Sequence, residues 1–97
     1  MADDITLAHH PAENRYELTV DGVLAGRVEY VEDDGVIDMQ HTIVDPAFGG
    51  RGLGGRIVEY ALTDARERGL RVVPTCSFIS RFIDRHPDYQ DLVTVGG

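Results

Sequence analysis

Five glycines fall within seven positions of the stretch Gly49-Gly50-Arg51-Gly52-Leu53-Gly54-Gly55-Arg56. Where such a loop opens a helix, unpaired backbone N–H groups and the positive end of the helix dipole converge and no side chain blocks approach. The chemistry this suits is the holding of a phosphate or pyrophosphate. Each glycine gives up extra conformational entropy on folding, so a loop with only a structural task needs fewer of them; a flexible surface loop is the plain alternative. The lone cysteine, Cys76, is a second candidate. Just ahead of a helix N-terminus a thiol gains thiolate character and can act as a nucleophile, whereas a buried free cysteine behaves as a small hydrophobe. His41 is a third, since an imidazole can accept a proton at neutral pH or simply pair with backbone.

The elements that must position these residues are legible in the periodicity. Ile5 and Leu7, then Tyr16, Leu18 and Val20, then Leu24, Val28 and Tyr30 alternate with polar or small residues, the period of half-buried strands. Asp21-Gly22 and Asp33-Asp34-Gly35 mark hairpin reversals. The first 44 residues therefore predict an antiparallel meander of four strands, the last running from Val36 to Val44 and ended by Asp45-Pro46. After the glycine loop, Leu53, Ile57, Val58, Ala61, Leu62 and Ala65 recur at helical spacing, and Gly69 stands where a helix C′ residue belongs. Leu70-Arg71-Val72-Val73-Pro74 is a compact strand, so strand, loop, helix and strand make a right-handed parallel crossover. Ser77 is placed to cap a short helix carrying Phe78, Ile79, Phe82 and Ile83, bounded by Pro87, with a last turn and tail beyond. His9 and His10 sit by a strand end without a partner pattern, and His86 reads as fixing the last turn.

A chain of 97 residues fits one domain, here 1–97, and its apolar fraction of 42% is that of a folded globule. The formal charge of -8 and pI of about 4.7 disfavour nucleic acid and anionic lipid as partners. One cysteine excludes an intramolecular disulfide and a multi-cysteine zinc site, and no metal is expected. The acidic start, Met1-Ala2-Asp3-Asp4, and the lack of any apolar run of ~18 residues predict a cytoplasmic chain with no membrane partner.

Three phosphate-binding patterns compete for the loop. The Lys and Ser/Thr of a P-loop are missing, since Gly55 is followed by Arg56 and Ile57. Gly50-Arg51-Gly52-Leu53-Gly54-Gly55 matches the dinucleotide fingerprint, but only about 20 residues follow Cys76, too few for a doubly wound sheet. The third pattern is that of the GNAT acetyltransferases. Val44-Asp45-Pro46 followed by Arg51-Gly52-Leu53-Gly54 at the start of a long helix resembles that superfamily's acetyl-CoA-binding segment. The stretch from His41-Thr42 to Pro74-Thr75-Cys76-Ser77-Phe78 and His86-Pro87 further resembles its short one-domain branch, so the likeness covers nearly the whole chain. Gly49 stands where the motif Q/R-x-x-G-x-G/A begins with Gln or Arg, which removes one side-chain contact to the pyrophosphate.

The resemblance implies an α+β fold on a mixed sheet: the meander, a helix, a parallel fifth strand splayed from the fourth, and a short C-terminal helix. Acetyl-CoA would lie in the splay, its pantetheine arm pairing with backbone of Ile43 and Val44. N–H groups from Arg51 through Gly52, Leu53 and Gly54 to Gly55 would take the pyrophosphate, with Gly49, Gly50 and Arg56 in the same loop. Ser77 and Arg81 complete the coenzyme set, and Arg85 lies on the same polar side of the short helix; a solvated face is the default for both arginines. Free N–H groups near Val44 would polarise the thioester carbonyl. Cys76 and His41 are the catalytic candidates, as acyl carrier and proton acceptor. The implied reaction is acetyl transfer to an amine, directly or through Cys76. The additional elements that wall the acceptor site in longer members have no room here, so a protein or peptide amine, or a large acceptor presented by a partner, fits better than a small enclosed substrate. A coenzyme A or acyl-CoA binding module without turnover is the alternative. Oligomeric state is not specified by the sequence.

Overall fold

The computed structural model describes residues 4–94, leaving the first three and the last three residues outside the description. Four antiparallel strands follow in order: β1 (Ile5–His10), β2 (Arg15–Val20), β3 (Val23–Asp33) and β4 (Val36–Val44). Both tight reversals use an Asp-Gly pair with positive φ at each residue, 50° and 82° at Asp21-Gly22 and 50° and 78° at Asp34-Gly35. That twist suits a two-residue hairpin. Helix α1 (Leu53–Glu67) crosses over to β5 (Arg71–Val73), which pairs parallel to β4, and α2 (Ser77–Arg85) follows. Helix α1 ends as its sequence predicts, with Gly69 at φ 70° and the Leu70 N–H bonded to Ala65 C=O at 2.9 Å.

Two β-bulges govern which way the side chains face. Ala25 is the extra residue of β3 opposite Leu18 and Thr19, and Gln40 is the extra residue of β4 opposite Glu29 and Tyr30. Before Gln40 the buried face of β4 carries Ile37 and Met39, and after it the same face carries Thr42 and Val44. His41 and Ile43 are turned to the other side, opposite Glu29 and Arg27.

One face of the sheet, with Tyr16, Leu18, Val20, Val28, Tyr30, Ile37 and Met39, packs on Ile57, Val58, Ala61, Leu62 and Ala65 of α1. Ile79 and Ile83 of α2 join the same cluster. The other face carries charged residues and the exposed Leu24, Val31 and Ile43. Among the described residues no helix is long and apolar enough to cross a membrane.

A polar cluster closes one end of the core. The His9 ring stacks on Tyr16 with centroids 4.3 Å apart, and its Nε2 lies 2.6 Å from the Tyr30 hydroxyl. Tyr16 donates to Asp64 at 2.7 Å, and Arg68 bonds Asp64, Tyr16 and Glu32. The sequence gives no hint of this, because its members come from β1, β2, β3 and α1. Burial pulls the His9 pKa down, with Arg68 and His10 acting the same way and Asp64 and Glu32 opposing. The unfolded chain therefore takes up the His9 proton first as pH falls. Stability contributed here is present above about pH 6.5, the unfolded value, and declines below it. Thermal melts between pH 7.5 and 5.5 should show a falling Tm that flattens in His9→Gln, and equal slopes for both proteins would refute the assignment.

Candidate functional site

Strands β4 and β5 pair only from Val36–Asp38 to Arg71–Val73, and the last backbone link between them is Cys76 N–H to Met39 C=O at 2.9 Å. Beyond it β4 runs on to Val44 with no strand on that side among the described residues. Bonding directions alternate along an antiparallel ladder, and Asp45 N–H bonds back to Ala25 C=O at 2.8 Å. His41 and Ile43 therefore spend their backbone groups on β3, while Thr42 and Val44 direct N–H and C=O into the gap. Of the two residues the sequence nominates to pair with an extended ligand, Val44 faces the gap and Ile43 does not; its partner there is Thr42.

The mouth of the gap is the glycine loop. Asp45 accepts from Ala47 N–H at 2.9 Å and starts a 3-10 turn, Pro46–Phe48, closed by Gly49 N–H to Pro46 C=O at 3.1 Å. Gly50 and Gly52 have φ of 79° and 72°, and Gly52 is the N-cap of α1. The first internal bond of α1 is Arg56 N–H to Gly52 C=O at 3.3 Å, so the N–H groups of Leu53, Gly54 and Gly55 have no partner within the helix. The backbone N–H groups of Gly49 and Arg56 are committed elsewhere. The Arg51 guanidinium lies 5.4 Å from the Phe48 ring.

Gly54 and Gly55 have a second task. A Cβ at Gly54 would stand 2.9 Å from Phe78 Cζ, and one at Gly55 3.6 Å from Phe82, so the pair lets α1 and α2 meet closely. The loop glycines should accordingly respond differently to alanine. Gly55→Ala fits and gains roughly 0.5–1 kcal/mol of helix propensity, whereas Gly52→Ala forces a side chain into the left-handed region and loses about 1 kcal/mol. Thermal melting should move the two Tm values apart in opposite directions; a shared direction would count against these roles.

Cys76 stands at the root of the gap. It occupies the N-cap position of α2, and Ser77, nominated as the cap by sequence, is the first helical residue and exposed. The Cys76 Sγ lies 3.5 Å from Thr42 Oγ1. Partial burial pushes the thiol pKa up, but Thr42 and the backbone N–H groups of Ile79, Phe78 and Thr42 favour the thiolate, and the net shift is downward. His41 is exposed and, because of the bulge at Gln40, on the opposite side of β4 from Thr42 and Cys76. Arg56, Arg81 and Arg85 are exposed. His86 bonds Phe82 C=O through Nδ1 at 2.7 Å and stacks on the Phe82 ring, which fixes the last turn. Among the described residues no group of three or more His, Cys, Asp or Glu could hold a metal.

A family model described as GCN5-related N-acetyl-transferase matches residues 15–92. The chain belongs to that family. Similar to it is protein NATD1 of Bos taurus, 36% identical over 52 residues, 54% of this chain and 46% of that protein. The chain thus spans about half the length of the curated relatives it matches. A GCN5-like protein from Staphylococcus aureus shares the fold, at 24% identity, TM-score 0.72, and 95% and 90% coverage of the two chains. A GNAT family acetyltransferase from Brucella melitensis, solved in complex with acetyl-CoA, shows the same GNAT fold at 22% identity and TM-score 0.56, covering 70% of this chain and 50% of its own. The five-stranded mixed sheet with β4 and β5 parallel is the α+β architecture that the sequence resemblance implies.

Proposed function

We propose that the protein is an acetyl-CoA-dependent N-acetyltransferase that moves acetyl to an amine acceptor through Cys76. The observation that carries this reading is the unpaired edge of β4. Thr42 and Val44 offer backbone groups along one side of a gap that has helix N–H donors at its mouth and a thiol at its root. The edge suits an amide-containing pantetheine arm laid as a strand, and Leu53, Gly54 and Gly55 suit a pyrophosphate. Acetyl-CoA would supply the activated acyl group.

The Cys76 thiolate, to which the Thr42 N–H is bonded, attacks the thioester carbon, aided by a free backbone N–H near Val44 toward the developing oxyanion. A new carbon–sulfur bond forms at Cys76, the bond to the coenzyme breaks, and the coenzyme sulfur takes a proton. A neutral amine then attacks the acetyl carbon, the bond to Cys76 breaks, the nitrogen loses a proton to solvent, and the Cys76 thiolate is regenerated.

Titration calorimetry with acetyl-CoA, NAD and ATP tests the ligand. Heat from acetyl-CoA alone is expected, and binding of NAD instead would overturn the reading. Intact mass after incubation with acetyl-CoA should show one added acetyl group, lost in Cys76→Ala. Binding without transfer to any of a panel of amines would make the protein an acyl-CoA binding module.

A further inference from the structure

Among the described residues the exposed large apolar side chains are Val23, Leu24, Val31 and Ile43 on β3 and β4, and Phe78 on α2. Phe78 also stands apart within its own helix. Ile79 and Ile83 are buried and Phe82 packs against the core cluster, whereas the Phe78 side chain is 44% exposed. Both ends of the residue touch the site. Its backbone N–H bonds toward the Cys76 sulfur at the root of the gap. Its ring lies over the first turn of α1, with Cζ, Cε1 and Cε2 at 2.9, 3.3 and 3.6 Å from where a Cβ on Gly54 would stand. Gly54 is one of the residues whose N–H has no partner within the helix. Phe78 therefore reaches from the thiol to the phosphate donors, on the side of the gap that α1 and α2 cover, and part of its ring is left in solvent.

Resting on the transferase reading above, we propose that Phe78 is the wall against which the pantetheine arm is laid, and that the part of the arm its ring takes is the pantoyl group. In coenzyme A a single methylene separates the pyrophosphate from a carbon that carries two methyl groups, the most apolar point of the arm. A pyrophosphate on the N–H groups of Leu53, Gly54 and Gly55 sets those methyls beside the ring that lies over Gly54. Beyond them the amides of the arm run toward Cys76, between α2 and the edge of β4 where Thr42 and Val44 present backbone groups. The contact removes apolar surface of ring and methyls from water together. Phe78 takes no part in bond making. It is a positioning residue that fixes how far the arm, and with it the thioester carbon, reaches into the gap.

Titration calorimetry on Phe78→Ala tests this with two ligands, acetyl-CoA and ADP carrying the coenzyme's ribose phosphate, which is the coenzyme without its arm. Affinity for acetyl-CoA should fall about tenfold, the scale of the apolar contact that a partly exposed ring gains on binding, and affinity for the nucleotide should not change. The unchanged nucleotide affinity also reports that the loop and the fold are intact. Phe78→Leu keeps an apolar side chain and should retain most of the acetyl-CoA affinity. The chain has no tryptophan, so Phe78→Trp places a single indole at this point. Its emission should move to shorter wavelength with acetyl-CoA and stay in place with the nucleotide. Equal losses for both ligands in Phe78→Ala, or acetyl-CoA affinity at the wild-type level, would overturn the proposal alone, as would an indole that acetyl-CoA leaves unshifted. Failure of the wild type to bind acetyl-CoA would overturn the transferase reading and this inference with it.

Discussion

Proline at Ile43 and proline at Val44, one residue apart, should give opposite results. The backbone N–H of Ile43 faces β3, where Arg27 is its cross-strand partner, so Ile43→Pro removes a ladder bond from the interior of the sheet. A loss of about 3 kcal/mol or more is expected, enough to unfold much of a small domain whose total stability is on the order of 5–15 kcal/mol. Val44 points its N–H into the gap, so Val44→Pro leaves the ladder whole. What it deletes is a donor to the ligand, and acetyl-CoA affinity should drop about tenfold or more, the equivalent of ~1.4 kcal/mol for one lost hydrogen bond. Far-ultraviolet circular dichroism and titration calorimetry on the two variants decide the matter. If Val44→Pro bound acetyl-CoA as the wild type does, the edge of β4 would not be where the pantetheine arm lies.

The second large effect belongs to stability alone. Asp64→Ala strands the hydroxyl of Tyr16, a residue with 0% of its surface exposed, and takes one carboxylate from Arg68. Burial and the Asp64 hydrogen bond together raise the Tyr16 pKa far above its ordinary range, so the hydroxyl stays protonated and needs its acceptor at every physiological pH. Leaving its O–H without an acceptor, while Arg68 still donates to the oxygen, should cost about 2 kcal/mol, which for a domain of this size lowers Tm by on the order of 10 °C. Asp64→Asn keeps an acceptor and should recover most of that. Acetyl-CoA binding in both variants should match wild type below their melting range, because the cluster sits at the other end of α1 from the loop. Reduced affinity at a temperature where the variant is folded would show that the two ends are coupled.

Much of the fold could be read from local pattern. Asp21-Gly22 and Asp34-Gly35 place two hairpins without ambiguity because few other residue pairs accept positive φ twice in succession. The spacing of Leu53, Ile57, Val58, Ala61, Leu62 and Ala65 defines α1, and all six are buried. Within the site, legibility stops where a residue's role depends on a distant partner. Gly54 and Gly55 read as phosphate-loop residues, and only the approach of Phe78 and Phe82 reveals their packing task. The cluster around His9 joins residues up to 59 positions apart, from His9 to Arg68, and no local rule could assemble it. His41 is the most instructive case. Plain alternation from Ile37 and Met39 would put His41 and Ile43 among the buried residues, near Cys76, and the extra residue at Gln40 reverses that.

That reversal makes β4 a strand with two reading frames. Deleting Gln40 would remove the bulge and its bend, yet it would leave His41 opposite Glu29 and Thr42 opposite Val28, so the N–H groups of Thr42 and Val44 would still face the gap. A homologous chain could therefore lose that one residue, or exchange most side chains of this segment, and keep the same edge. In an alignment of such chains, a one-residue gap at Gln40 would mark a straightened strand and not a lost ligand edge.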